Sequence, residues 1–430
     1  MNIGFVCSEY FSYGEKNGKF TPTSAHGGFG FLTRTKAEYL ALLGHDVHVF
    51  TYASSFDYEK NASDAFEENG VKIHLIPERE RVGKNSISTG LNYILSSPKE
   101  NKYFKETVDK EDIQILQFED TPTSLLMSET NRAQKILVFQ DPFDYYDTNL
   151  LIDSERHYLN LLNDGRQFYT IKQKGSFSHE IAINLLHKKN FVSPVRRIVE
   201  KSSLLSIFTE ADFIGTKVKD LFNLPYTPKT LRNPINIFQE VREKTEKPSF
   251  VWVARWDPQK RPDTMLYIAS KLSKYDFYMI GTATRGSRSY ISVEERLSSE
   301  FSKYPNIHIL GFIDEFAKRE YIGKAWGLVN TSIREGLPIT FLEALAEGTP
   351  IISYVDPDSY VSRFGIKVNY DLESFMQGIE QAVSERLFQK IGQDERSFVS
   401  HEHALDVVMN KHIQIYNNLE VQLLDEKRGK

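Results

Sequence analysis

The amino-acid sequence predicts an α/β protein with two domains, each built on a doubly wound parallel sheet. Short apolar segments of strand type alternate with helical segments, which is typical of parallel sheets that are buried on both faces. The alternation stops at a charged, proline-containing stretch, residues 240–248, and then starts again. The length of 430 residues suits about two or three domains. We therefore interpret residues 240–248 as the linker between two domains.

The first domain, residues 1–238, begins with a buried strand and continues with alternating elements. A helix over residues 29–43 follows the first strand and ends at Gly44, because glycine favours the position just after a helix. Residues 145–205 are polar, less regular and mostly helical in pattern. The strands predicted for this domain are residues 2–7, 46–52, 71–77, 113–118, 136–139, 211–216 and 231–236.

The second domain, residues 249–402, repeats the alternation and predicts a second doubly wound sheet. Helices are predicted at residues 262–272 and 316–324. Residues 403–430 carry a final helix, from about His403 to Glu420. The strands predicted for this domain are residues 250–254, 277–280, 307–310, 327–330 and 351–355.

Composition and charge narrow the class of protein. The formal net charge of −5 argues against general binding of nucleic acid. Cys7 is the single cysteine, so it excludes an internal disulfide and fits a reducing compartment. The N-terminus resembles a first strand and not a signal peptide, and no stretch approaches the ~20 apolar residues of a membrane span. We therefore expect a cytoplasmic protein, either soluble or peripheral to a membrane.

The most informative segment runs from residue 332 to residue 350. Pro338 suits the start of a helix, and Gly348 suits its left-handed end. Glu335 precedes this helix and Glu343 lies more than a turn inside it, so we do not expect them to form a close acid/base pair. The helix N-terminus between them favours an anion. This layout fits a ligand with a central diphosphate and a hydroxyl-bearing sugar at each end.

A second segment places two cations after a strand and just before a helix. Arg255 and Lys260 are five residues apart in this loop. When a bond to a diphosphate group is cleaved, negative charge grows on the departing diphosphate. Fixed cations directed at its oxygens stabilise that charge without a metal ion.

A third segment, residues 25–30, is rich in glycine and opens a helix. Gly27 and Gly28 would let backbone N–H groups approach a ligand at the helix start. A tight turn with no ligand explains the same pattern equally well. His26 lies beside these glycines and is a candidate site residue.

Carboxylates follow two predicted strands of the first domain. Glu119 and Asp120 come after the fourth strand, and Asp141 comes after the fifth. Open α/β sheets bind ligands beyond the carboxyl ends of their strands, so one of these groups could orient or deprotonate a hydroxyl group of a ligand. Capping of nearby helices is the alternative role. Together with His26, these three carboxylates are candidates for binding a second substrate, the acceptor, and we call them the acceptor-side candidates.

The segments around Glu335 and Arg255 resemble the E-x7-E and G-R-x4-K motifs of retaining GT-B glycosyltransferases, especially family 4, or glycosyltransferase group 1. Ala254 stands where the family usually has glycine. The resemblance covers nearly the whole chain but is most specific between residues 251 and 349. It implies the GT-B fold, in which two Rossmann-like domains face each other across a cleft. It also implies that the final helix crosses back to the first domain.

The resemblance further implies a hexosyltransferase that moves a sugar from a nucleoside diphosphate sugar, such as a UDP-sugar, to an acceptor hydroxyl with retention. Glu335 would contact the donor sugar, Glu343 the ribose, and residues 338–341 the diphosphate. The donor is a co-substrate, and neither a cofactor nor a metal is expected. The acceptor would be a glycan, a lipid-linked molecule or a protein. Relatives often carry histidines after the fourth and fifth strands, where this chain has carboxylates.

Two sets of residues follow from this interpretation. The residues assigned to catalysis are Arg255, Lys260 and Glu335. The residues assigned to donor binding are Gly27, Gly28, Arg255, Lys260, Glu335, Gly336, Leu337, Pro338, Ile339, Thr340 and Glu343.

Two alternative functions stay open. A nucleotide-sugar epimerase of the same fold would need no acceptor. A non-catalytic partner subunit would bind glycans or a transferase, although this chain keeps all four charged donor residues. In addition, a basic run at residues 187–201 could contact an anionic membrane or a charged acceptor. A solvated helix face is the simpler interpretation of that run.

Overall fold

A computed structural model describes residues 1–8, 10, 12–16, 19–23, 28–52, 65–76, 98–119, 123, 126–127, 132–140, 193–201, 205–256, 259–283 and 288–428. Contacts divide these residues into two units. The first contains the described residues up to 140, residues 193–234 and residues 406–428, and the second contains residues 235–405. The division at residue 234 lies close to the first-domain end at residue 238 that the sequence suggests.

The first unit is built on an eight-stranded sheet in the order β10-β9-β8-β7-β1-β4-β6-β5. Its strands are β1 (Asn2–Cys7), β2 (Ser12–Lys16), β3 (Lys19–Thr23), β4 (Asp46–Tyr52), β5 (Ala65–Glu68), β6 (Val71–Ile76), β7 (Ile115–Phe118), β8 (Gln134–Phe139), β9 (Leu205–Thr209) and β10 (Lys229–Thr230), of which β2 and β3 form a separate hairpin. Its helices are α1 (Gly28–Leu42), α2 (Pro98–Lys110), α3 (Ser193–Lys201) and α4 (Asp212–Phe222).

This sheet is doubly wound, as predicted. The chain runs from β1 outward through β4 and β6, then returns to β7 and continues outward on the other side. All neighbours are parallel except β5, which is antiparallel to β6. Nearly all residues of β1, β7 and β8 are buried, which explains why their sequences are mostly apolar.

Two strand predictions in the first unit are wrong. Residues 212–216 lie in helix α4, Ala211 is its N-cap, and the strand of this region is β9. Ile214, Val218 and Phe222 recur every four residues and are buried, so the apolar pattern marks a helix face. Residues 231–236 are not a strand either, because β10 ends at residue 230 and Ile235 forms only an isolated bridge to Ala404.

The second unit contains a six-stranded parallel sheet in the order β13-β12-β11-β14-β15-β16. Its strands are β11 (Ser249–Val253), β12 (Asp276–Ile280), β13 (Ile307–Gly311), β14 (Gly327–Asn330), β15 (Ile351–Ser353) and β16 (Gly365–Lys367). Its helices are α5 (Pro262–Lys271), α6 (Arg288–Phe301), α7 (Glu315–Lys324), α8 (Ile339–Ala346), α9 (Tyr360–Phe364), α10 (Leu372–Ser384) and α11 (Leu387–Glu402), and α12 (Leu405–Arg428) follows. The second doubly wound sheet is thereby confirmed.

The charged stretch 240–248 is a packed part of the second unit and not a free linker. Arg242 donates to Glu347 at 2.6 Å, and Arg319 donates to the same carboxylate at 2.7 Å. Lys244 donates to Thr349 at 2.6 Å, and burial lowers the pKa of its ammonium to about 8. Buried charges need such partners, and sequence pattern alone did not reveal them.

The final helix, α12, groups with the first unit. Val408, Met409 and Tyr416 are buried, and the Tyr416 hydroxyl donates to Gln117 Oε1 on β7 at 2.7 Å. None of the helices that the structure describes combines the length and apolarity needed to span a membrane.

A buried histidine pair gives the first unit a pH-dependent stability. His48 Nδ1 and His74 Nε2 are 2.9 Å apart, and their rings stack at 5.2 Å between centroids. Burial, reinforced by the charge of His48, lowers the pKa of His74 to about 4. The unfolded chain binds this proton near pH 6.5, so stability is complete above that pH and falls as the pH drops toward 4.

We expect acidification from pH 7 to pH 5 to cost the first unit about 2 kcal/mol through His74. Urea unfolding at the two pH values, compared between the native chain and a His74→Gln variant, measures this contribution. The variant should show a smaller loss. An equal loss in both proteins would contradict the assignment to His74.

Candidate active site

The candidate site lies where the winding of the second sheet changes direction. From β11 the chain moves outward through β12 and β13, and it then returns to β14 on the other side of β11. β11 and β14 are parallel neighbours, with Phe250 paired to Gly327. The described residues that follow them, 254–256 and 259–261 after β11 and 331–338 after β14, therefore lie at the same edge of the sheet. This switch point is the usual ligand site of open α/β sheets.

Hydrogen bonds join these two loops. The Thr331 hydroxyl accepts from Trp252 Nε1 at 3.0 Å and donates to the Lys260 carbonyl at 2.7 Å. The Ile333 amide donates to the Gln259 carbonyl at 3.0 Å. The Gln259 side chain in turn donates to the Arg334 carbonyl at 2.9 Å. These hydrogen bonds thus hold the two predicted motifs side by side.

Gly281 fixes the start of the loop that carries Arg255. Its φ is +117°, and a Cβ atom at this position would lie 2.0 Å from the Ala254 carbonyl oxygen. Only glycine tolerates both conditions. The close approach lets Ala254 and Trp256 extend the strand pairing, with Trp256 N donating to the Thr282 carbonyl at 3.1 Å. Arg255 lies between them and is exposed.

The structure brings Lys260 and Glu335 together. The Lys260 ammonium is 2.6 Å from Glu335 Oε1 and 2.8 Å from Oε2. The two side chains are only 17% and 9% exposed, so this charge-assisted contact is shielded from water. A bound anion would compete with Glu335 for the ammonium. The sequence identified both residues but not their contact.

Helix α8 begins beside this pair. Pro338 takes the N-cap position in extended conformation, and no side chain caps the helix. The amides of its first turn, in the segment that includes Ile339 and Thr340, therefore remain suited to an anionic ligand. Gly336 and Leu337 connect the helix to Glu335. At the other end Gly348 has a φ of +62°, which confirms the predicted left-handed helix end.

Glu343 has a different partner from Glu335. It is fully buried on α8, and its Oε1 accepts from Lys318 Nζ on α7 at 2.6 Å. The two carboxylates therefore do not share a cation in this structure. Lys318 also contacts Glu315 Oε2 at 2.6 Å. Partial burial, together with the charge of Glu343, raises the pKa of Glu315.

Sequence reasoning missed Lys318. Its one available signal is the spacing of Glu315 and Lys318, three residues apart at the start of a helix. Such pairs are common on exposed helix faces, so the pattern does not point to a buried carboxylate on another helix.

Glu119 lies in the core of the first unit and not at an open loop. Its carboxylate is 2.6 Å from Lys36 Nζ on α1 and accepts from the amides of Gln117 and Gln140 at 2.7 Å each. All of these side chains are buried. The sequence led us to expect Glu119 in a loop that a ligand can reach. In the structure it is buried instead, and Lys36 and the two amides already satisfy its charge.

The other first-domain candidates are only partly described. Gly28 begins α1 and is exposed. His26, Gly27, Asp120 and Asp141 lie outside the described residues. In the basic run, Arg196 donates to the Leu221 carbonyl at 2.5 Å, so this cation serves the packing of α3.

Two solved structures of known proteins have the same fold. Sucrose-phosphate synthase from Thermosynechococcus elongatus matches with a TM-score of 0.71 over 98% of this chain and 99% of its own, at 13% identity. HepE from Anabaena, solved in complex with UDP-glucose, matches with a TM-score of 0.63 over 97% of this chain and 100% of its own, at 9% identity. The predicted GT-B fold class is confirmed.

The family match lies mainly in the second unit. Residues 235–390 match the family of glycosyl transferases group 1. The O-antigen biosynthesis glycosyltransferase WbnH of Escherichia coli is 28% identical over 124 residues, which are 29% of this chain and 33% of WbnH. The match thus spans about a third of the length of that relative. This unit is thus similar to the group 1 glycosyl transferases, the family that its motifs resemble.

Proposed function

We propose that the protein is a retaining glycosyltransferase that moves a sugar from a nucleoside diphosphate sugar to an acceptor hydroxyl. The observation that carries this proposal is the Lys260–Glu335 contact at the switch point of the second sheet. A cation suited to phosphate and a carboxylate suited to sugar hydroxyls stand next to the uncapped start of α8. These are the groups that a diphosphate joined to a sugar requires.

Each group has a defined role in this proposal. Lys260, Arg255 and the first amides of α8 hold the diphosphate and stabilise the charge that it gains on departure. Glu335 accepts hydrogen bonds from hydroxyls of the donor sugar. Glu343 accepts hydrogen bonds from hydroxyls of the nucleotide ribose. Charge stabilisation by these groups makes a metal ion unnecessary.

The reaction exchanges one bond at the anomeric carbon for another. The bond from this carbon to the diphosphate oxygen breaks, and the acceptor oxygen bonds to the carbon on the same face. The acceptor proton passes to the departing phosphate oxygen. The burial of Glu119 against Lys36 supports this route, because that carboxylate is already paired.

The relatives suggest the substrates. HepE is known in complex with UDP-glucose, and WbnH is described as an O-antigen biosynthesis enzyme. By this likeness we propose a UDP-hexose as the donor and a saccharide as the acceptor. A lipid carrier on that saccharide would bring the enzyme to a membrane surface.

A thermal-shift screen of UDP-, GDP- and ADP-sugars tests the proposal. A ligand at 100-fold above its Kd should add about 2.7 kcal/mol of apparent stability. We expect one base to raise the Tm of the full chain, and the proposal fails if no nucleotide sugar does so. Retention is checked by NMR analysis of the product anomer formed with a simple saccharide acceptor.

A further inference from the structure

Glu343 is a buried carboxylate with too few hydrogen-bond donors. Lys318 Nζ contacts Oε1 at 2.6 Å, whereas Oε2 has no hydrogen bond among the described residues. An ionised carboxylate accepts about four hydrogen bonds, and a buried acceptor without a partner is unfavourable. A ligand with hydroxyl groups would supply the missing donors.

Lys318 is held in a fixed position. It lies in the first turns of α7, whose N-cap residue Asp314 accepts from the Ala317 amide at 2.8 Å. Glu315 contacts the same ammonium from α7 itself. Burial lowers the pKa of Lys318, but the charges of Glu343 and Glu315 raise it above its usual value. The residue is therefore a permanent cation at neutral pH.

The contact joins two separate helices. Glu343 is carried by α8 and Lys318 by α7, so the carboxylate plane is fixed by the backbone of one helix and by a cation from the other. A group held in this way loses little further conformational freedom when it binds a ligand.

We infer that Lys318 is a positioning residue for the nucleotide ribose: it holds Oε1 of Glu343 and leaves Oε2 to accept a ribose hydroxyl. The inference rests on the proposed function, in which Glu343 contacts the ribose. The inference adds a ligand specificity to that function. A site that forms a hydrogen bond with a ligand hydroxyl discriminates strongly against an analogue that lacks this hydroxyl. The preferred ligands are ribonucleoside diphosphates, and those without ribose hydroxyls bind weakly.

The test compares Lys318→Met with the native chain. Methionine keeps the apolar stem and removes the ammonium. Calorimetric titration gives the Kd of UDP and of 2′,3′-dideoxy-UDP, with the GDP and ADP pairs measured in the same way. The native chain should prefer the ribonucleotide by about 10-fold or more, the value of one hydrogen bond to a charged group. In Lys318→Met this preference should fall toward one.

The ratio of the two Kd values separates positioning from general damage. A variant that merely disturbs the fold weakens both ligands in parallel and leaves the ratio unchanged. Glu315→Gln is the matched control, because it removes the other carboxylate contact of Lys318 and leaves the contact with Glu343. We expect its ratio to equal that of the native chain. Lys318→Arg, which conserves the charge, should retain part of the preference.

The outcomes are distinct. If the native chain discriminates and Lys318→Met discriminates equally, the inference is wrong and the proposed function stands. If the native chain binds UDP, GDP or ADP without discrimination, the inference is also wrong. If the native chain binds none of the three nucleotides, the proposed function is wrong, and the inference that rests on it is wrong as well. Should Lys318→Met not fold, Lys318→Gln replaces it, and an unchanged ratio in that variant overturns the inference.

Discussion

Replacing Lys260 with methionine is expected to lower kcat/KM for sugar transfer by about 100- to 1000-fold, the usual cost of losing one charge-stabilising donor. The ammonium stands at the switch point of the second sheet, 2.6 Å from Glu335. In the proposed reaction it stabilises the charge of the departing diphosphate, which is greatest in the transition state. Methionine keeps the packing of the stem and removes only that charge. Initial rates at varied donor concentration measure the effect.

Two further variants sharpen this prediction. Lys271→Met makes the same change at an exposed position at the opposite end of α5, and it should leave the rate unchanged. Glu335→Gln should reduce turnover strongly but retain binding of free UDP, because Lys260 is then released from its carboxylate. Near-normal turnover of folded Lys260→Met would contradict the assignment of the donor site.

The second large effect is on stability. Lys36→Met is expected to destabilise the first unit by about 3–5 kcal/mol, because it leaves a buried carboxylate without its cation. Lys36 is 2.6 Å from both oxygens of Glu119, and both residues are buried. The three tryptophans, Trp252, Trp256 and Trp326, all lie in the second unit, so their fluorescence does not follow unfolding of the first unit. Limited proteolysis that maps the cleavage sites in the first unit is the appropriate measurement, with circular dichroism of the whole chain as a second probe.

A double-mutant cycle separates the structural role of Glu119 from a catalytic one. Glu119→Gln should also destabilise the first unit, and the combined variant with Lys36→Met should lose less than the sum of the two single changes. Such coupling is expected for groups in direct contact. Full stability of Glu119→Gln together with lost transfer would instead restore Glu119 as an acceptor-side residue.

The fold was predictable because its strands are buried on both faces. In β8 and β14, for example, every residue is buried, so the apolar run marks the strand directly. The segment 211–216 failed for the same reason: a short apolar run looks alike in a buried strand and in one face of a helix. The buried positions Val218 and Phe222 further along α4 carried the helical period.

From the sequence, we could predict candidate site residues only where the residues that indicate a site lie close together along the chain. Lys260 and Glu335 stand in loops with distinctive glycine and proline neighbours, and these neighbours made both residues candidates for the site. Lys318 contacts Glu343 across 25 residues of sequence, and Lys36 contacts Glu119 across 83. Such pairs depend on which strands and helices become neighbours. No local pattern distinguishes a lysine that neutralises a buried carboxylate from one on a solvated face.

A crystal of the full chain soaked with the nucleotide sugar selected by the thermal screen tests the central claim most directly. The account predicts diphosphate oxygens within hydrogen-bond distance of Lys260 Nζ and of the first amides of α8, with the sugar at Glu335. Density for the nucleotide elsewhere, with the Lys260 ammonium still bound only to Glu335, would contradict it.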